Sequence, residues 1–89
     1  MPRLEFSDRF ATDLAKVESD KVFGLVMECL DNIERFGEFG SRNIPRSIKK
    51  QFGEGVRKVA INPFDLFYTF FDESDIVRVE ALVLQRRVK

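Results

Sequence analysis

The chain has no histidine. That removes the commonest general base and the commonest metal ligand. Its single cysteine, Cys29, lies on the apolar stripe of an expected helix and reads as a buried structural thiol rather than a nucleophile. A zinc site would have to be built from carboxylates alone, so no metal and no cofactor is expected. Gly53-Glu54-Gly55 lacks the Lys and Ser/Thr of a phosphate loop and reads as a turn. What remains is the cations. Arg57 and Lys58 open one expected strand, and Arg86 and Arg87 follow another. Lys49 and Lys50 lie on the outer side of a short expected helix. Guanidinium groups can hold a phosphate through two parallel hydrogen bonds. Solvated strand ends are the alternative reading of the same residues.

Those cations need elements to carry them, and Val56–Arg87 provides most of the frame. Val59 and Ile61 alternate with polar or small residues until Asn62-Pro63 breaks the run. Phe64, Leu66, Tyr68 and Phe70 follow at period two, with Phe67 and Phe71 on the opposite face. Asp72–Asp75 is a polar connection. Val77, Val79, Ala81 and Val83 then alternate with Ile76, Arg78, Glu80, Leu82 and Leu84. β-Branched and aromatic residues at period two predict strands, here an antiparallel meander over Val56–Ile61, Phe64–Phe71 and Ile76–Leu84. In a meander the second and fourth strands of the sheet run the same way. Arg57 and Arg86 therefore fall toward opposite ends. The Phe-rich strand lacks the interleaved Lys and Arg of a base-stacking sheet, so it is read as core.

Upstream, Leu4–Phe6 reads as an edge strand. Ser7 can cap a helix over Ser7–Glu18 that buries Phe10 and Leu14, with Val17 on the same stripe. Ser19 can cap a second helix, Asp20–Phe36, whose stripe runs Val22, Val26, Cys29 (or Leu30), Ile33, Phe36 until Gly37 ends it. The short link between them predicts a helical hairpin. Arg46–Phe52 is expected to form a brief helix. Val26, Ile33, Val59, Val79 and Ala81 complete the expected core. The fold class is thus α+β, a helical hairpin packed on a mostly antiparallel four-stranded sheet in the order β-α-α-β-β-β.

Eighty-nine residues make one domain, residues 1–89, and ten Phe supply much of its core. No apolar run reaches the ~20 residues that span a bilayer, and Met1–Glu5 lacks the apolar stretch of a signal peptide. With one cysteine no internal disulfide can form. These features point to the cytoplasm, with no membrane partner. The formal net charge is zero, but it is segregated. Residues 1–40 are net −4, 41–58 net +5, 59–80 net −4 and 81–89 net +3. If the basic segments meet, they make an anion-seeking patch. Scattered solvated charge is the alternative.

In element order the whole chain resembles toxins of type II toxin–antitoxin systems in the RelE/ParE superfamily. The specific features are Val56-Arg57 opening a strand, Phe67-Tyr68 inside the next, and the acidic turn Asp72–Asp75. They end in Leu84-Gln85-Arg86-Arg87, where family members often read His-x-Arg. Ser7 opening the first helix and Arg35-Phe36-Gly37 closing the second also match. The resemblance implies a toxin neutralised by a cognate antitoxin. It allows a homodimer or a toxin–antitoxin hetero-oligomer. Two targets follow from its two branches. ParE-like members inhibit DNA gyrase. RelE-like members cut mRNA on the ribosome with basic residues on the sheet. Arg86 matches a terminal-strand arginine of the cutting branch, and Arg57 and Lys58 fall near its other basic positions. Against that branch, Asp65 stands where many members carry arginine, Leu84 replaces the usual His, and no C-terminal Tyr follows. Zero net charge also suits a phosphate-rich target poorly. The ParE-like reading is therefore preferred, with Lys49, Lys50, Arg86 and Arg87 as target-binding residues. The RelE-like alternative would use Arg57, Lys58 and Arg86 as catalytic residues. A degenerate relative that only binds an antitoxin is the third reading.

Overall fold

A computed structural model of the chain describes residues 2–37 and 40–85. Seven elements follow in order: β1 (Arg3–Phe6), α1 (Asp8–Ala15), α2 (Asp20–Phe36), α3 (Arg46–Phe52), β2 (Val56–Ile61), β3 (Phe64–Phe71) and β4 (Ile76–Leu84). The fold is α+β, as the periodicity predicts. The bounds of α2, α3 and the last three strands agree with the sequence expectation, while α1 stops at Ala15, short of Glu18.

The caps work as expected. Ser7 Oγ accepts from the Phe10 N–H at 2.9 Å, and Ser19 Oγ from the Val22 N–H at 3.2 Å. Both satisfy amide groups that have no partner inside the helix. Gly37 ends α2 at φ 62, a conformation that favours glycine, and its N–H bonds to the Ile33 carbonyl at 2.8 Å.

The sheet order is β1-β4-β3-β2. β2–β3 and β3–β4 are antiparallel, whereas β1 lies parallel to β4. The β2–β3 turn is Asn62-Pro63, joined by a cis peptide bond. Beyond Phe6 the edge of β4 passes to α1. Ser7 donates its N–H to the Val79 carbonyl at 3.0 Å and its hydroxyl to the Glu80 carbonyl at 2.7 Å. Asp13 Oδ2 accepts the Leu82 N–H at 3.0 Å. A helix thus finishes what a four-residue strand begins, and the edge is covered.

Both faces of the sheet are occupied. On one, Ile61, Leu66, Tyr68, Val77, Val79 and Leu82 pack with Phe10 of α1 and Val26, Cys29, Leu30 and Ile33 of α2. On the other, Val56 and Phe67 pack with Ile44, Ile48 and Phe52, and Val83 joins them. The strict alternation expected for β4 does not hold. Tyr68 is opposite Val79, but Phe67 is opposite Ala81, so Glu80 is an extra residue in the ladder. This bulge reverses the phase of everything after it. Leu82 joins the helical face and Val83 the other, contrary to the single row Val77, Val79, Ala81, Val83. Leu14 and Val59 are half-buried where full burial is expected. Phe10, Val26, Ile33, Val79 and Ala81 are buried.

Candidate functional site

The register separates the two strand-opening cations. Arg57 lies opposite Tyr68 on the helical face, whereas Lys58 lies opposite Phe67 on the other. Arg57 is only 8% exposed. It lines a hollow of about 320 Å³ with Arg42, Glu54, Gly55 and Val56. Lys58 is half-buried, and its backbone N–H and C=O both bond to Ser41, at 2.9 and 2.8 Å. Lys49 and Lys50 sit on α3, Lys50 exposed and Lys49 half-buried with Nζ 4.0 Å from Glu54 Oε1. α3 keeps Ile48 and Phe52 against the sheet, which turns Lys50 outward.

Arg86 and Arg87 lie outside the described residues. The last described residue, Gln85, donates its N–H to the Pro63 carbonyl at 2.8 Å. Leu84 is opposite Phe64, itself opposite Ile61. The end of β4 thus adjoins the end of β2, not its beginning at Arg57. Among the described residues, Arg57 and the end of β4 at Leu84 lie toward opposite ends of the sheet.

The face carrying Lys58 also carries Asp65, one same-face row further along the ladder. Gln85 Nε2 donates to Asp65 Oδ1 at 3.0 Å and to the Phe64 carbonyl at 3.1 Å. Asp65 is therefore oriented by a neutral donor, one same-face row from Lys58. That pairing of signs is a poor cradle for a phosphodiester, whose binding depends on accumulated positive charge.

Sequence reasoning missed the polar ties that shape this region. Tyr68 is fully buried, and its hydroxyl donates to the Gly37 carbonyl at 2.9 Å while accepting the Gly40 N–H at 2.6 Å. It fixes where the chain leaves α2. Buried Glu80 accepts from the Thr69 hydroxyl at 2.8 Å. Burial pushes the Cys29 thiol up to about 11, so it is a proton-bearing core group at neutral pH. The second missed feature is an open trough of about 470 Å³ between α2 and β2, lined by Lys21, Leu25, Glu28, Cys29, Asn32 and residues 59–62. Its helical wall was readable at spacing i, i+4, i+7, i+8 and i+11. Among the described residues no group of three His, Cys, Asp or Glu side chains is placed to hold a metal ion. Nor is any helix among them long and apolar enough to cross a membrane.

The whole chain superimposes on the isolated Escherichia coli RelE toxin with a TM-score of 0.75. The two are 18% identical over 100% of this chain and 89% of that one. The match to a chain of the intact E. coli RelBE toxin–antitoxin complex has a TM-score of 0.73 at 17% identity, covering 98% of this chain and 100% of that one. A chain of the chromosomal ParDE system of Pseudomonas aeruginosa matches at 0.57 and 14% identity, over 97% and 98%. Neither a protein-family model nor a curated protein matches the sequence. The likeness is one of fold.

Proposed function

We propose that this chain, which has the fold of RelE/ParE-superfamily toxins, is the toxin of a toxin–antitoxin module and is neutralised in the cytoplasm by a cognate antitoxin. The observation that carries the reading is the whole-chain match to RelE, solved both alone and in the RelBE complex. That match covers the whole of this chain, β1 to β4 included. The test is controlled expression with pulse labelling of DNA and protein synthesis. It is paired with co-purification against the product of the adjacent reading frame. Normal growth and no captured partner would remove the toxin reading.

The target favoured by the exposed chemistry is a protein, DNA gyrase, bound without cleavage of RNA. Asp65 beside Lys58 and the burial of Arg57 support it, because they leave the sheet without a run of phosphate-binding cations. Lys49, Lys50, Arg86 and Arg87 would then contact the target through its rim. Charge reversal at Arg86 and Arg87 should weaken target binding, and weaken it less at high salt.

A second reading, ribosome-dependent mRNA cleavage, is favoured by the higher TM-score to RelE than to the ParDE chain. Arg57, Lys58 and Arg86 would carry it by stabilising charge at the scissile phosphate. Arg86→Ala should then cost on the order of 10²–10³-fold in cleavage rate with ribosome binding little changed. Cell-free translation run beside a gyrase supercoiling assay separates the two. Cleaved message with normal supercoiling overturns the gyrase reading.

A further inference from the structure

α1 and α2 each carry buried side chains, whereas none of the seven residues of α3 is buried. Pro45 stands at the N-cap of α3 and offers no side-chain oxygen to the first amides, and no acid lies in the first turn. A helix of seven residues does not persist in water on its own. Among the described residues no hydrogen bond joins α3 to a strand or to another helix. What holds it is Ile48 and Phe52, both half-buried, laid on Val56 and Phe67. The rings of Phe52 and Phe67 stack with centroids 6.2 Å apart and planes at 23°.

One further contact comes from the helical side of the sheet. Arg9 of α1 reaches round the edge of β4 and sets its guanidinium carbon 5.7 Å from the centre of the Phe52 ring. Asp13 steadies it, with Arg9 Nε 3.6 Å from Asp13 Oδ2, and Asp13 is in turn fixed by the Leu82 N–H at 3.0 Å. Phe67 stands opposite Ala81, the neighbour of Leu82 in β4. The contacts therefore close a ring, from β4 through Asp13 and Arg9 to Phe52, then through Phe67 back to β4. Each end of α3 has a distinct backbone. Gly53 follows it at φ 103, a conformation that favours glycine, with open space where a Cβ would stand. Backbone geometry alone, not crowding, calls for glycine there. Ahead of Pro45, Ile44 is buried with Val56 and stays with the sheet. The part able to lift is thus Arg46–Phe52. Lifting uncovers Phe67, which is 4% exposed and pairs with Lys58 on the same face.

We infer that α3 is a lid over the second face of the sheet, hinged at Pro45 and Gly53, and that Arg9 is its latch. Closed, the lid presents Arg46 and Lys50 to solvent. Open, it exposes an apolar floor at Phe67 beside Lys58. The latch is rooted on α1, so whatever draws Arg9 away from Phe52 on the helical side favours the open state on the other. The lid belongs to the chain itself, whether its target is a protein or RNA.

The test is residue-resolved hydrogen exchange of the full chain, read beside thiol labelling. The amides of Lys49 and Gly53, which bond to the Pro45 and Lys49 carbonyls, should exchange through an opening that leaves the amides of β3 closed. Arg9→Gln removes the cation from a side chain that is 45% exposed, so the fold should survive it. It should speed exchange at Lys49 and Gly53 about 2–5-fold, with β3 unchanged. Arg9→Lys keeps a cation and should recover most of the parent rate. Adding Arg9→Gln to Val56→Cys should quicken iodoacetamide labelling of the thiol under the lid by a similar factor, which separates lifting from fraying of the helix. In Phe52→Leu the guanidinium has lost its seat, and Arg9→Gln should add nothing. Exchange of α3 only together with β3 overturns the inference. So do α3 amides indifferent to Arg9→Gln, a Val56→Cys thiol whose labelling stays constant while those amides quicken, or a full Arg9→Gln effect in the Phe52→Leu background.

Discussion

The carboxylate of Asp13, on the first helix, accepts the backbone N–H of Leu82, on the last strand, at 3.0 Å. Arg9 stands 3.6 Å from the same oxygen. One side chain thereby replaces a strand neighbour that β1 is too short to supply. Asp13→Ala leaves the Leu82 amide without its acceptor. The expected loss is about 1–3 kcal/mol of stability, and Asp13→Asn, which keeps an oxygen, should lose less. Urea unfolding of the three proteins, compared at equal slope, checks the order.

Tyr68→Phe deletes the hydroxyl that joins Gly37 to Gly40 while leaving the ring in the core. It should destabilise by about 1–3 kcal/mol, since a buried carbonyl loses its donor. The Gly40 amide should also exchange faster than amides elsewhere in the chain. Uniform acceleration across all amides would mean the bond supports the whole core rather than the loop.

Gly40 and Gly24 make opposite predictions for the same substitution. A Cβ on Gly40 would stand 2.9 Å from the Tyr68 ring and 3.0 Å from the Lys58 carbonyl oxygen. That oxygen is held by Ser41 and has little freedom to retreat. Gly40→Ala should cost about 1–3 kcal/mol. Gly24→Ala meets open space and should raise stability by about 0.5–1 kcal/mol. Thermal melts of both variants against the parent decide each sign.

Cys29 is 5% exposed, and its thiol is pushed from 9.0 up to about 11 by burial. It should resist alkylation at neutral pH far better than a free thiol, with reactivity appearing only as the pH nears that value. The folded group binds its proton more tightly than the unfolded one. Its contribution to stability is thus complete below pH 9 and is lost as the pH rises through about 11. Iodoacetamide labelling against pH, with a denatured control, measures this. Prompt labelling of folded protein at pH 7 would show that the thiol is not held as described.

Local signals made most of the frame legible. Ser7, Ser19 and Gly37 announced helix ends by their own chemistry, and Asn62-Pro63 and Asp72–Asp75 announced turns. The interval between such marks was filled by periodicity, so α2, α3, β2, β3 and β4 could be read residue by residue. β4 was read with the wrong phase past Glu80, because a bulge is decided by pairing with β3 and leaves no mark on alternation within one strand. The parallel partnership of β1 was equally invisible, being a relation between residues more than seventy positions apart. The site residues divide in the same way. Which cations occur was plain from the sequence. That Arg57 is buried while Lys58 faces Asp65's side followed only from register.

The attachment of β1 and α1 to β4 also sets an order of events in synthesis. Arg3 is paired with Ile76 and Asp13 with Leu82, so the first elements of the fold are completed by its last strand. Until β4 has emerged, Phe10 has no strand to lie on, and the helical hairpin must wait with its apolar stripe uncovered. Closing so long a loop is entropically slow. Until β4 is made the nascent fold therefore lacks a finished sheet. A surface that depends on that sheet is present only when nearly every codon through Leu84 has been read.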